Sequence, residues 1–172
     1  PGASFPVAGD NAFADATSGA VALTVNTSSA CADLTFTGFT GTLAGSSALA
    51  ISGSLTMAAG MTRTYTGAIT FGATATGKTL TFAGKTMASN LTFNGVGGGW
   101  TLQDTLSMTS NSITLTNGAL DTNGVTVTCQ NFSSSNGNVR TLTLGASTIN
   151  LRGNVGGIWD TATTTNLTFN AD

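Results

Sequence analysis

A short unit, apolar-Thr-apolar, recurs along the chain and sets its hydrophobic rhythm. It stands at Leu23-Thr24-Val25, Leu34-Thr35-Phe36, Leu55-Thr56-Met57, Ile69-Thr70-Phe71, Leu80-Thr81-Phe82, Leu91-Thr92-Phe93, Ile113-Thr114-Leu115, Val125-Thr126-Val127, Leu142-Thr143-Leu144 and Leu167-Thr168-Phe169. Alternation of period two puts residues i and i+2 on one side of an extended chain, so each unit predicts a half-buried strand. Leu34, Phe36, Leu91, Phe93, Ile149 and Leu151 are expected to face a shared core, with Thr35, Thr92 and Asn150 outward. Gly, Asn and Ser fill the intervals. Asn94-Gly95, Asn117-Gly118, Asn123-Gly124 and Asn136-Gly137 tolerate positive φ and are expected to turn the chain.

A longer self-similarity overlies the short one. Ala32-Asp33-Leu34-Thr35-Phe36-Thr37-Gly38 matches Ser89-Asn90-Leu91-Thr92-Phe93-Asn94-Gly95 under the shift that carries Leu34 onto Leu91, and Ile149-Asn150-Leu151-Arg152-Gly153 follows after nearly the same interval. The chain then divides into an N-terminal segment with the first strand or cap, 1–33, and a repeat region, 34–172. The repeat copies span about 34–90, 91–148 and a truncated 149–172. Fixed-period repetition of strand-and-turn units marks a solenoid, in which each unit buries its apolar side against its neighbours. The connections vary from a few residues to more than a dozen, whereas hairpin loops usually have about 2 to 5 residues. The expected fold is therefore all-β, a parallel β-helix or solenoid of short strands, with a β-sandwich as the alternative. At about 4.8 Å per coil, roughly six coils would stack to about 30 Å.

Composition agrees with this pattern and narrows the chemistry. Thirty-four Thr and 23 Gly stand among 172 residues, favouring β-structure over helix. A hydrophobic share of 40% is enough for a real core and separates the chain from disordered low-complexity sequences. Only 7% of residues are charged, against roughly 25% in an ordinary globular domain. There are 7 Asp, no Glu and no His, which removes the commonest general base and metal ligand. Five scattered cations cannot form a stripe that tracks phosphates, so nucleic acid is not an expected partner. No run approaches the roughly 18 consecutive apolar residues of a membrane span, so no membrane insertion is expected. Cys31 and Cys129 lack metal-ligand spacing and read as buried free thiols, unbridged within the chain. The sequence opens on Pro1 and ends near Leu167-Thr168-Phe169, and reads as part of a longer or processed polypeptide.

Leu55-Thr56-Met57-Ala58-Ala59-Gly60-Met61, Trp100-Thr101-Leu102-Gln103-Asp104, Thr116-Asn117-Gly118-Ala119-Leu120-Asp121-Thr122-Asn123-Gly124 and Phe132-Ser133-Ser134-Ser135-Asn136 resemble the Thr/Gly-rich β-repeat proteins of tailed bacteriophages and of some bacterial surfaces. These motifs are structural repeats, so the resemblance carries over no catalytic residue. It implies a non-enzymatic structural component of a phage particle, a capsid decoration or head or tail fibre protein on the virion surface. It also implies homo-oligomers, trimers first, with other virion proteins as partners.

Three further readings compete for individual residues. Gly72-Ala73-Thr74-Ala75-Thr76-Gly77-Lys78-Thr79 has the spacing of a phosphate-binding loop, but such a loop must open a helix, and Leu80-Thr81-Phe82 continues as a strand. No nucleotide or other cofactor is expected. Asp104, Asp121 and Asp160 could be offered as the paired carboxylates of a polysaccharide depolymerase. Their settings read instead as turns, where Asp caps its own backbone. Trp100, Trp159 and Tyr65 are the candidate contacts for a host-surface glycan or a partner; the two Trp stand close to one long repeat apart and read as repeat-related packing residues beside glycines. They carry the alternative function, a carbohydrate-binding adhesin outside the cell or on the bacterial surface. Four sequons, at Asn26, Asn90, Asn131 and Asn166, are expected by chance in so Thr-rich a chain.

Overall fold

The computed structural model describes residues 6–154 and 158–171 and shows a parallel β-solenoid of about six turns. Every strand pairing among the described residues is parallel, which excludes the sandwich. Strands, numbered in chain order, fall on three faces. The first face stacks β3 (Ser29–Cys31), β6 (Leu49–Ile51), β9 (Ile69–Phe71), the starts of β12 (Leu91–Leu102) and β14 (Ile113–Asp121), then β16 (Phe132–Ser133) and β19 (Trp159–Asp160). The second stacks β1 (Ala12–Phe13), β4 (Leu34–Thr35), β7 (Leu55–Thr56), β10 (Lys78–Thr81), the ends of β12 and β14, β17 (Arg140–Thr143) and β20 (Leu167–Asn170). The third is split. It holds β2 (Ala22–Val25), β5 (Thr42–Gly45) and β8 (Thr62–Arg63) in one sheet, and β11 (Thr86–Met87), β13 (Leu106–Met108), β15 (Thr126–Cys129) and β18 (Thr148–Leu151) in another.

Register turns the period-two pattern into columns. On the first face Leu49, Ile69, Leu91, Ile113, Phe132 and Trp159 pair in sequence and point inward. Ala50, Thr70, Thr92, Thr114 and Ser133 form the adjacent outward column. Phe36, Leu91 and Phe93 are buried as expected, and Leu34, Ile149 and Leu151 pack half-buried against the core. Phe71 stacks on Phe93 at 5.0 Å, continuing the column chemistry as aromatic contact.

One coil runs from Leu49 to Ile69, another from Leu91 to Ile113, and the longest of the first-face column from Phe132 to Trp159. The shift that carries Leu34 onto Leu91 spans more than two coils and changes face. It relates Leu34, on the second face beside Leu55, to a residue on the first face beside Ile69.

Polar side chains stitch successive coils at the corners. Before the second face, Asn11 Oδ1 accepts from Asp33 N at 3.1 Å, Asp33 Oδ1 from Ser54 N at 2.7 Å, and Ser54 Oγ from Thr79 N at 3.1 Å. Before the first face, Asn90 Oδ1 accepts from Ser112 N at 2.9 Å. Asn94-Gly95 and Asn117-Gly118 lie inside β12 and β14 rather than in turns between strands, and Asn117 Nδ2 donates to Asn94 Oδ1 at 2.7 Å. These strands bend through the corner on glycine: a Cβ at Gly95 or Gly98 would run into the Ala73 carbonyl. Asn123-Gly124 is a turn, with φ of 52° and 72°.

Cations replace missing backbone pairing. Where β8 does not pair with β11, Arg63 Nη1 donates to Thr86 O at 3.3 Å and Lys85 Nζ to Ala59 O at 2.7 Å. The long coil between Phe132 and Trp159 is held by Arg140, only 1% exposed, whose guanidinium donates to the carbonyls of Ser134, Asn138, Thr163 and Thr165. The only helix among the described residues is a single 3-10 turn, Ala16–Ser18, capped by Asp15.

Candidate functional site

The three aromatic candidates do not come together. Trp100 is 1% exposed, sits on the second face between Lys78 and Leu120, and packs edge-on against Phe93 at 5.2 Å. Its ring covers glycines: a Cβ at Gly98 would lie 3.0 Å from Cη2, and one at Gly118 3.1 Å from Cζ3. Tyr65 is fully buried, and its hydroxyl donates to Ser47 O at 2.6 Å. Burial pushes that hydroxyl up to about 12, so it remains protonated at neutral pH. Neither residue offers a ring face to a sugar. Trp159 lies on the other face from Trp100, half-buried, stacked on Phe132 at 4.7 Å and touching Phe169 edge-on at 6.2 Å. The near-repeat spacing therefore does not place the two Trp in equivalent positions, because Trp159 falls in the first-face column and Trp100 in the second.

Each candidate carboxylate is committed to backbone. Asp104 accepts from Phe82 N and Ala83 N of the preceding coil at 2.7 and 2.5 Å, fixing the turn in which Ala83 and Gly84 take positive φ. Asp121 accepts from Asn123 N and Asp160 from Ala162 N, each a local turn contact. All three carboxylates cap turns. Among the described residues no group of three or more His, Cys, Asp or Glu is placed to hold a metal ion.

The glycine-rich run 72–79 leads into β10, not into a helix, and Lys78 pairs in register with Trp100. Within the run only Lys78 and Thr79 belong to the strand. Cys31 and Cys129 are buried and unbridged, and burial pushes both thiols up to about 11, which suppresses the reactive thiolate. Asp33 adds to this at Cys31.

Sequence reasoning misses Arg140 and Arg63, which it counts only among scattered cations. Parity holds a signal, since Arg140 stands at i−2 from the inward Leu142 and is itself inward. Arg63 is half-buried over Tyr65, 5.8 Å from the ring centroid, and burial pulls its guanidinium down to about 10. Its Nε has no partner among the described residues.

The interior cavity between Leu102, Ile113, Leu120, Val127 and Phe132 amounts to about 10 Å³ and is apolar, too small and too dry for a ligand. Larger concavities lie at the N-terminal mouth, one of about 280 Å³ reaching Leu23, Val25, Cys31 and Leu43, another of about 680 Å³ along Asp10, Asn11, Phe13 and Leu34. No helix among the described residues is long and apolar enough to cross a membrane. No family model, no curated protein and no solved structure matches the chain.

Proposed function

We propose that the chain is a non-enzymatic structural component of a phage particle, a capsid decoration or fibre-type protein on the virion surface. The observation that carries this reading is the commitment of side chains to the stack itself. Asp33, Asp104, Asp121 and Asp160 accept backbone N–H groups, and Trp100 and Tyr65 fill the core. What faces outward is nearly uncharged: Thr70, Thr92, Thr114 and Ser133 form the outward column of the first face, with Val96 and Val139 exposed. Such a surface suits close packing against other proteins through neutral hydrogen bonds and van der Waals contact. Its partners are copies of itself, with trimers favoured by the resemblance, and neighbouring virion proteins.

The experiment is imaging of purified particles labelled with an antibody against the chain. Label at symmetric positions supports the reading. An unlabelled particle, together with glycan binding or oligosaccharide release by the isolated chain, would replace it with the adhesin or depolymerase reading.

A further inference from the structure

Of the four Asn-Gly pairs in the chain, the structure holds three in place and leaves one poised to react with itself. The nitrogen that follows an Asn can attack the side-chain amide carbon, and glycine leaves that nitrogen unshielded because it has no Cβ. The attack needs the side chain folded forward over the next peptide, and that peptide free to rotate. Hydrogen bonds that fix either group oppose it.

Asn94-Gly95 and Asn117-Gly118 lie inside β12 and β14, where Asn117 Nδ2 donates to Asn94 Oδ1 at 2.7 Å and Gly118 N donates to Val139 O at 3.0 Å. Asn123-Gly124 sits in a turn closed by Val125 N on Thr122 O at 3.1 Å, with both residues at positive φ, and Asn123 Nδ2 reaches back to Leu102 O at 2.9 Å. Asn136-Gly137 lies instead in an open bend with Gly137 exposed. Asn136 Oδ1 already accepts from Asn138 N at 3.0 Å, which folds the side chain forward over the Gly137 peptide and draws electrons from the carbonyl to be attacked. Its tie to the neighbouring coil is the long contact of Nδ2 with Leu115 O at 3.3 Å. The peptide between Asn136 and Gly137 makes no backbone hydrogen bond among the described residues.

We propose that Asn136 is a self-modification site, at which the folded chain deamidates through a cyclic imide. The Gly137 nitrogen bonds to Asn136 Cγ, the Cγ–Nδ2 bond breaks, and Nδ2 leaves as ammonia with the proton that Gly137 gives up. Water then opens the imide at either of its two carbonyls, giving aspartate or isoaspartate. Both products lose the donor to Leu115 O and gain a negative charge. Isoaspartate also lengthens the main chain between Ser134 and Asn138, whose carbonyls Arg140 holds. The site is independent of whether the chain belongs to a phage particle.

The test is peptide mapping by mass spectrometry of the whole chain incubated folded in mildly alkaline buffer, beside the same chain in denaturant. In the folded chain Asn136 should convert at least about tenfold faster than Asn94, Asn117 or Asn123, the factor set by one more hydrogen bond to break. In denaturant the four should convert at similar rates. A Cβ at Gly137 would meet nothing within 4 Å, and Gly137 holds no positive φ, so Gly137→Ala keeps the bend while its methyl shields the attacking nitrogen. That variant, with its β-fold checked by circular dichroism, should slow conversion at Asn136 several-fold. The proposal is overturned if another of the four converts first in the folded chain, or if Asn136 stays intact while the denatured chain converts. Conversion of Gly137→Ala at the wild-type rate, or aspartate without isoaspartate as product, overturns it as well.

Discussion

Asp33 Oδ1 accepts the backbone N–H of Ser54 at 2.7 Å, across the step from one coil to the next, and occupies the space where a Cβ on Gly53 would lie. A carboxylate, a glycine and a strand start are thus coupled at one corner. Asp33→Ala leaves the Ser54 donor without this acceptor and should cost about 1–2 kcal/mol. Gly53→Ala should be at least as destabilising, because the new methyl meets both Asp33 and the Ala32 backbone. Urea unfolding of the two single variants and the double variant checks this. The costs should fail to add, since both changes break the same contact.

Arg140 should be the most sensitive cation in the chain. Arg140→Met withdraws donors from four carbonyls around the longest coil and should cost about 2–4 kcal/mol. Arg140→Lys should recover little, because an ammonium cannot reproduce the planar fork. Hydrogen exchange should localise the loosening to 134–138 and 163–165, leaving β6 and β9 protected.

The buried thiols give stability a pH dependence. The folded-state values of Cys31 and Cys129, about 11, lie above the ordinary 9.0, so the unfolded chain loses these protons first. Their contribution is fully present below pH 9 and is lost as the pH rises through about 11. Denaturation at a series of pH values from neutral up to that point should show stability falling over the upper part of the range. Cys129→Ala should flatten the slope even though it lowers stability at neutral pH by opening a cavity.

Lys78 tests the phosphate-loop spacing. Because it lies in β10 with its backbone in the sheet, Lys78→Ala should change stability by only about 0.5 kcal/mol. Neither the wild type nor the variant should bind ATP in a calorimetric titration. Binding by the wild type that the variant loses would contradict a purely structural role for this strand.

Strands were legible in the sequence because inward and outward positions alternate, as at Leu91-Thr92-Phe93, although β15 departs from the pattern with Val127, Thr128 and Cys129 all buried. The number of coils, roughly six, was legible, but the length of each was not. The first and second faces use the same apolar-Thr-apolar chemistry, so self-similarity matches Leu34 to Leu91 although they lie on different faces, and unequal corner loops blur the true coil repeat seen from Leu49 to Ile69 and from Leu91 to Ile113. Trp100 and Tyr65 stood out as candidate contacts because aromatic rings can stack on a sugar. Parity was the better guide for Trp100, which stands at i−2 from the inward Leu102. Nothing local separates Trp159 and Phe169 from the core residues Phe132 and Leu142 with which they pair one coil away.

The central functional claim, attachment to a particle through a nearly uncharged protein surface, is tested most directly by measuring how much of the chain stays on purified particles across a salt series. With 7% charged residues, contact should owe little to Coulomb attraction. Occupancy should be symmetric and should change by less than about twofold between low and moderate salt. A chain missing from purified particles, or one shed as salt rises through that range, would contradict the claim.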